Sequence, residues 1–371
     1  MSEIKLQTPY YLIDKEKLLK NMLRIEKLCS ISGAKALLAL KCFASWGVFD
    51  LMKQYMAGTT SSSLNELRLG AEEFGGETHG YSVGWAEHEI DDVIKYADKI
   101  IFNSVSQLNQ FYDRVKGKNI GLRINPQISA SNFDLADPAR PFSRLGEIDK
   151  ENVKKIKDKV KGFMIHNNCE NNDFAKFDQM LHHLEREFGD LFKDDGIEWV
   201  SLGGGIDFTN DNYPIEALAN RLKSFAQEYN VQVYLEPGEA SITNAGSLEV
   251  TVLDLFNNGK NIIIVDSSIE AHMLDLLIYR ENAKILPNEG DYEYMICGKT
   301  CLAGDIFGTF KFPHKLNVGD RITINNAAGY TMVKKNWFNG VNMPSIVIKE
   351  LDGTLKLQRS FTYSDYKESL S

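Results

Sequence analysis

Polar residues that can do chemistry stand at the ends of short apolar runs in the first two thirds of the chain. Lysine, arginine, histidine and glutamate are costly to bury unpaired, so their repeated appearance at such ends predicts one functional site. A lysine in this position can act through a neutral amine that forms a Schiff base with a carbonyl group. A run of glycines can expose backbone amides to a phosphate. The residues concerned are Lys41, Asn103, Arg123, Asn125, His166, Gly203-Gly204-Gly205 and Glu236.

Each of these residues also has a purely structural explanation when it is taken alone. Lys41 can extend from a strand end to water, and three glycines in a row can simply form a loop. His166 can be a hydrogen-bonded structural histidine. In combination, the pattern favours a flat histidine ring packed on a flat cofactor, with Glu236 facing a pyridine nitrogen.

The elements that must position these residues alternate between short apolar runs and helical patterns. Asp14 is a candidate N-cap for the first helix, and Ser63 with Glu66 forms a predicted capping box. Eight such runs separated by helices predict an α/β fold with a (β/α)8 TIM-type barrel, whose strand ends converge on one mouth. The triple glycine follows the seventh run, where such barrels frequently bind phosphate. The runs are Lys35–Lys41, Gly58–Ser61, Glu77–Tyr81, Lys99–Asn103, Asn119–Asn125, Gly162–His166, Ile197–Leu202 and Val231–Leu235.

After about residue 240 the pattern changes to strands separated by turn signals, without a comparable alternation of helices. We therefore predict a barrel domain over residues 15–240 and a mostly β C-terminal domain over 241–371. Residues 1–14 are expected to join the second domain, because Pro9–Ile13 reads as an extra strand. The predicted strands are Leu248–Leu255, Asn261–Val265, Tyr292–Ile296, Arg321–Ile324 and Ser345–Ile348.

The composition is that of an ordinary cytoplasmic globular protein. The formal charge of −9 over 371 residues makes nucleic acid an improbable partner. No signal peptide is expected, and no apolar run reaches the roughly 18 residues needed to span a membrane. The five cysteines are scattered, which argues for a reducing compartment. Cys297 and Cys301 lack the further ligands that a zinc site needs, so no metal is expected.

Nine sequence segments carry a family resemblance, and they occur in the family's order over nearly the whole chain. The chain resembles the fold-type III pyridoxal-phosphate decarboxylases, which act on amino acids such as ornithine, arginine and diaminopimelate. The resemblance implies the same fold, namely a barrel followed by a β domain. The segments are LALKCF, SSSLNEL, LRINP, SRLG, GFMIHNNCE, SLGGG, LEPGEA, CGKTC and AGYT.

The resemblance also implies the cofactor, pyridoxal 5'-phosphate, and roles for particular residues. Lys41 would bind the cofactor covalently, and His166 would stack on its ring. Glu236 would pair with the ring nitrogen, and Arg123 would organise the pocket beside the ring. The residues implied to hold the phosphate are Gly204, Gly205 and Tyr330.

Cys301 is the leading candidate for the donor that protonates the substrate α-carbon after CO2 has left. The resemblance implies that it enters from a second subunit, so we expect a homodimer with shared active sites. The alternative is that Cys301 is a small buried apolar residue.

Two departures from the family pattern concern the substrate. Glu239 stands where diaminopimelate decarboxylases have the arginine of EPGR, and Asp275 stands near their substrate-binding arginine. Acids in place of arginines favour a cationic substrate with extra amines. The segments EPGE, HMLD and GYTMVKKNWFNG resemble the branch of the family that decarboxylates carboxynorspermidine and carboxyspermidine in polyamine biosynthesis. Asp305 is predicted as a third substrate contact.

Four other functions remain open at this point. The nearest is decarboxylation of diaminopimelate or ornithine. An amino-acid racemase has a similar barrel but needs a base on each face of the ring. A non-catalytic cofactor carrier would lack the β domain, and a regulatory homologue usually loses cofactor residues such as Lys41 and Glu236.

Overall fold

Eight parallel strands close into a barrel within the unit Lys20–Ser241, and their order round the barrel follows the chain. The computed structural model describes residues 6–131 and 133–371. The last barrel strand pairs with the first, with Lys35 beside Tyr234. Each predicted apolar run contains one of the strands, so the predicted (β/α)8 barrel is confirmed. After β1 (Tyr10–Asp14), the barrel strands are β2 (Lys35–Ala39), β3 (Gly58–Ser61), β4 (Glu77–Tyr81), β5 (Lys99–Phe102), β6 (Asn119–Arg123), β7 (Gly162–Met164), β8 (Trp199–Ser201) and β9 (Gln232–Leu235).

Trp199 fills much of the barrel interior, in a cluster with other large apolar side chains. Its ring has room because two neighbouring strands carry glycine at that level. A Cβ atom added to Gly162 would lie 2.1 Å from the indole, and one added to Gly121 would lie 2.5 Å from it. The indole Nε1–H donates to Asn119 Oδ1 at 2.7 Å, so the buried polar atom is satisfied.

Several of the helices begin at side chains that accept backbone N–H groups. Asp14 Oδ1 accepts from Glu16 N–H at 2.9 Å, which confirms the predicted cap of the first helix. Ser63 caps its helix as predicted, but Glu66 accepts from Ser62 N–H at 2.6 Å rather than from Ser63. The capping box is therefore only half formed, because Glu66 reaches one residue further back. The helices up to the end of the barrel are α1 (Lys15–Ser32), α2 (Phe49–Met52), α3 (Leu64–Leu69), α4 (Ile90–Tyr96), α5 (Val105–Val115), α6 (Lys150–Lys154), α7 (Phe174–Phe192), α8 (Ile215–Tyr229) and α9 (Glu239–Ile242).

A charged cluster lies where the barrel strands begin, because Lys35, Glu77 and Lys99 are the first residues of β2, β4 and β5. Glu77 accepts from Lys99 Nζ at 2.6 Å and from Tyr234 Oη at 2.7 Å, and it also pairs with Lys35. The hydrogen bond from His79, together with those from Lys35 and Lys99, holds the pKa of Glu77 far below its usual range. The cluster thus stabilises the barrel when Glu77 is ionised.

We expect Glu77→Gln to lower the free energy of unfolding by about 3 kcal/mol at pH 7, because two lysines lose a partly buried partner. The pKa of Glu77 is lower in the folded than in the unfolded protein. Its contribution to the free energy of unfolding is therefore fully present above the unfolded-state pKa of about 4.3 and is lost progressively as the pH falls toward the folded-state pKa. Urea unfolding of both proteins at pH 7 and pH 4 should therefore show a smaller difference at pH 4.

The control is Glu198→Gln, which removes an exposed ion pair with Lys161 and should change stability by less than about 0.5 kcal/mol. An effect of Glu77→Gln no larger than that of the control would contradict a stabilising role for the cluster.

The second unit combines the chain up to Leu19 with Ile242–Ser371 and contains an eight-stranded mixed sheet. The predicted change of pattern near residue 240 lies at this division. β1 joins the sheet as expected, with Tyr10 beside Glu249 on one side and Ser345 on the other. The strand order is β13-β12-β11-β10-β1-β15-β16, and β14 also pairs with β10. The strands are β10 (Gly246–Asn257), β11 (Asn261–Val265), β12 (Tyr292–Cys297), β13 (Ile306–Phe312), β14 (Arg321–Asn325), β15 (Ser345–Lys349) and β16 (Leu355–Arg359).

Two strands and three short helices of this unit were not predicted. β13 contains Gly308 at φ +138°, which interrupts its alternating pattern, and β16 is an edge strand without a buried face. The helices have only four to six residues, too few for a helical period. They are α10 (Ile269–His272), α11 (Leu274–Tyr279) and α12 (Tyr363–Glu368). Among the described residues, none of the helices has the length and apolar character to cross a bilayer.

Candidate active site

The carboxyl ends of the barrel strands bring four of the predicted barrel residues together. Lys41 follows β2 in a tight turn, Arg123 ends β6, and His166 lies two residues beyond β7. Glu236 directly follows β9. These four side chains line one pocket, whose empty volume is about 270 Å³ when the open solvent at its mouth is included. The pocket is lined further by Ala39, Thr60, Ser61, Ser62, Tyr81 and Met164.

Lys41 and His166 face each other across this pocket, with Nζ and Nε2 3.4 Å apart. Burial, and then the positive charge of Arg123, lowers the pKa of Lys41. Burial, and then the charges of Lys41 and Arg123, holds the pKa of His166 well below its ordinary value. His166 Nδ1 accepts from Gly204 N–H at 3.2 Å, which assigns the proton of the neutral ring to Nε2. His166 can therefore donate to Lys41, whose uncharged amine is the nucleophilic form.

Arg123 is held by residues of two other strand ends. Its Nη1 donates to Tyr81 Oη at 2.7 Å, and Tyr81 Oη in turn donates to Asn103 Oδ1 at 2.9 Å. All three side chains are buried. Tyr81 was missed in the sequence analysis although it ends β4, so the same strand-end argument could have found it.

The triple glycine packs so closely that its backbone, rather than side chains, faces the surrounding loops. A Cβ atom on Gly204 would lie 2.2 Å from the Glu236 carbonyl oxygen, and one on Gly203 would lie 2.7 Å from His166 Nδ1. Gly203 and Gly205 have φ values of +68° and +82°, which favour glycine. The segment therefore needs glycine for its own packing.

Glu236 is a buried residue of the pocket lining and accepts a hydrogen bond of 2.6 Å from Ser201 Oγ. Ser201 ends β8 and was also missed in the sequence analysis. The signal that could have found it is its position two residues before the triple glycine, at a strand end like the others.

Glu239 lies beside the turn that carries Lys41. Its Oε2 accepts from the thiol of Cys42 across 3.6 Å. Gly238 packs directly on this cysteine, since a Cβ atom there would lie 2.6 Å from Cys42 Cβ. The expectation that Glu239 binds substrate stays a prediction.

The four predicted residues of the C-terminal unit differ in their surroundings. Cys301 is exposed, and Tyr330 is half-buried with Lys334 Nζ 5.2 Å from its ring centre. Asp275 forms an ion pair with Lys334. Asp305 accepts from Ile269 N–H at 2.8 Å and from two groups of Thr300, which gives it a role in holding its own loop. Substrate binding by Asp275 and Asp305 stays a prediction.

Comparison with known families identifies the family of this chain. The family described as "Pyridoxal-dependent decarboxylase, C-terminal sheet domain" matches residues 11–328. The chain belongs to the pyridoxal-dependent decarboxylases. The family resemblance of the sequence segments is thereby confirmed.

This pyridoxal-dependent decarboxylase has close relatives over its whole length. It is 59% identical over 366 residues to the carboxynorspermidine/carboxyspermidine decarboxylase of Herminiimonas arsenicoxydans, covering 99% of this chain and 100% of that protein. It is 35% identical over 373 residues to the carboxyaminopropylagmatine decarboxylase of a Synechocystis species, covering 98% and 96%. The crystal structure of carboxynorspermidine decarboxylase from Campylobacter jejuni in complex with norspermidine superposes with a TM-score of 0.90 at 34% identity, covering 98% and 100%.

The barrel site of this decarboxylase fits pyridoxal phosphate in three respects. Lys41 is a partly buried lysine with a lowered pKa, as a covalent link to an aldehyde requires. Glu236 is a buried carboxylate on the same pocket, suited to a protonated ring nitrogen. Lys41, Arg123, His166 and Glu236 line the same pocket, so a ring bound there can meet all four side chains.

Proposed function

We propose that this decarboxylase removes the carboxylate of carboxynorspermidine, carboxyspermidine or both, and so forms norspermidine or spermidine. The observation that carries the proposal is the 59% identity, over 99% of the chain, to a relative with this substrate specificity. The acids at positions 239 and 275, where arginines would suit a substrate with a second carboxylate, support the same assignment.

Lys41 is proposed to hold the cofactor, and its neutral amine serves both its attachment and its release. When bound, pyridoxal phosphate provides an electron sink for the electron pair that remains after CO2 leaves. Glu236 would hold the ring nitrogen in its protonated form, and His166 would support the face of the ring. Arg123 is oriented for its place in the pocket by Tyr81. The phosphate would be held by Gly204, Gly205 and Tyr330.

Cys301 is proposed to donate its Sγ proton to the substrate α-carbon. The proposed active unit is a homodimer in which each site receives Cys301 from the partner subunit. The neutral state of His166 leaves its Nε2 proton directed to Lys41, so this ring orients the lysine and does not compete as the acid.

Glu239 and Asp275 are proposed to bind the two distal ammonium groups of the substrate. A charge-assisted hydrogen bond to each is worth roughly 1.5–3 kcal/mol, or about ten- to a hundredfold in binding. Lys334 already pairs with Asp275, and therefore acts as an internal cation that the substrate amine has to replace.

We expect Glu239→Gln and Asp275→Asn each to lower kcat/KM for carboxynorspermidine by about tenfold or more, since each removes a charged acceptor. The visible absorption of the bound cofactor should stay unchanged. Steady-state kinetics with purified variants measure the effect, and Glu216→Gln, which removes an exposed ion pair with Lys27, serves as the control. Wild-type kcat/KM in both variants would sink the assignment of these acids.

The substrate itself is tested by measuring CO2 release from a panel of compounds. We expect carboxynorspermidine and carboxyspermidine to have the highest kcat/KM, with diaminopimelate and ornithine far lower. A second candidate is carboxyaminopropylagmatine, because a relative named for it is 35% identical over nearly the whole chain. The highest kcat/KM with that compound would replace the first proposal, and the highest with diaminopimelate would defeat the polyamine assignment.

A further inference from the structure

Ser201 is the last residue of β8, at the carboxyl end of the strand, and it is fully buried. Side chains alternate along a strand, so Ser201 points to the same side of the sheet as Trp199, which belongs to the cluster filling the barrel. A hydroxyl in such a place needs a hydrogen-bond partner, since an unpaired one would be costly to bury. Its partner is the carboxylate of Glu236, whose Oε1 accepts from Ser201 Oγ at 2.6 Å.

Three hydrogen bonds join Ser201, Gly203 and Glu236 into a closed ring. Ser201 Oγ donates to Glu236 Oε1 and accepts from Gly203 N–H at 3.3 Å. Glu236 N–H donates to the Gly203 carbonyl oxygen at 2.8 Å. One hydroxyl thus links the carboxylate proposed for the ring nitrogen with the glycine segment proposed for the phosphate.

The length of the bond to Glu236 indicates a charge-assisted contact. Hydroxyl-to-carboxylate bonds of this kind measure about 2.5–2.7 Å and are roughly twice as strong as neutral ones. Because Ser201 occupies Oε1, the carboxylate is held in one rotamer, and Oε2 is the oxygen left for a ligand of the pocket.

We infer that Ser201 is a positioning residue, which orients Glu236 toward the cofactor ring and holds it in register with the glycine segment. The inference rests on the proposed role of Glu236 and adds a residue whose effect on cofactor binding passes through that carboxylate. Loss of the hydroxyl should therefore weaken cofactor binding, and the loss should depend on the presence of the Glu236 carboxylate.

The test is the dissociation constant of pyridoxal phosphate, measured by equilibrium titration of the purified protein from which the cofactor has been removed. We expect Ser201→Ala to weaken binding about tenfold, the value of one charge-assisted hydrogen bond, and to shift the visible absorption of the bound cofactor. Ser201→Thr keeps a hydroxyl and should bind within about threefold of wild type. Ser32→Ala, at a buried serine that bonds the Leu28 carbonyl oxygen, is the matched control and should leave binding unchanged.

A double-mutant cycle with Glu236→Ala separates positioning from a general structural effect. In the Glu236→Ala background, Ser201→Ala should change the dissociation constant by less than about twofold. An equal loss in both backgrounds, or no loss from Ser201→Ala alone, would overturn the inference. If Ser201→Ala does not fold, Ser201→Cys, which retains the volume with a weak donor, should show the same dependence on Glu236.

The outcomes also distinguish this inference from the proposed function. If Glu236→Ala itself leaves the dissociation constant unchanged, the proposed role of Glu236 fails and the role of Ser201 fails with it. If Glu236→Ala weakens binding and Ser201→Ala does not, only the inference about Ser201 is wrong. The substrate panel has no influence on either result, because no substrate is present in the titration.

Discussion

Replacing Lys41 with alanine should lower decarboxylase activity by at least about a thousandfold, because the variant loses the covalent anchor of the cofactor and a proton-transferring amine together. The structure supports this expectation, because burial and the nearby charge of Arg123 lower the pKa of Lys41 and so favour its neutral, nucleophilic amine. His166 lies 3.4 Å from Lys41 and has a pKa well below its ordinary value, so its ring is neutral. It therefore adds no second positive charge beside the lysine.

Borohydride reduction followed by peptide mass spectrometry tests the assignment directly. In the wild-type protein the reduced cofactor should be found on the peptide that contains Lys41, and the Lys41→Ala protein should carry no label. Lys99 and Lys335 provide an internal control, since Lys99 is buried and partial burial lowers the pKa of Lys335. Label on either of these lysines, or on none, would show that the cofactor lysine has been misassigned.

Mixing two inactive variants should restore about a quarter of the wild-type activity. Cys301→Ala alone should lose about a hundredfold or more, the usual contribution of a positioned acid. If Lys41 and Cys301 of one site belong to different subunits, random exchange with Lys41→Ala makes half of the dimers hybrid. Each hybrid then contains one intact site of its two, which gives the expected quarter.

The control for this experiment is Lys41→Ala mixed with a second variant of the same barrel site, Glu236→Ala. Both substitutions affect residues proposed to act within one chain, so this mixture should recover no activity. Two different affinity tags detect the hybrid dimers in the Cys301 mixture. If these hybrids form and no activity is recovered, Lys41 and Cys301 act within one subunit.

The barrel and four residues of its candidate site were readable in the sequence, because both depend on local patterns. Each barrel strand is a short apolar run, and a polar residue at its end signals a site whatever its partners are. Lys41, Arg123, His166 and Glu236 were found in this way, and they line one pocket. Short edge strands such as β16, with no buried face, gave no such pattern and were missed.

The acids proposed for the substrate show where the sequence stops being sufficient. Asp275 was recognised from its place relative to an arginine of related enzymes, but its ion pair with Lys334, 59 residues further along, was not. Asp305 was predicted as a substrate contact, and the structure shows its carboxylate accepting from Ile269 and Thr300. The sequence alone does not distinguish a carboxylate that binds a ligand from one that binds its own loop.

Only the tertiary structure decided which side chains are hydrogen-bonded to each other. Ser201 reaches Glu236 over 35 residues of sequence, and Arg123 reaches Tyr81 over 42. The periodicity of a sequence reports how much of each segment is buried, because burial follows from the hydrophobic effect on that segment alone. Hydrogen bonds depend on distances of a few tenths of an ångström between strands that meet only when the barrel closes, so the pairing of these residues is determined by the folded barrel.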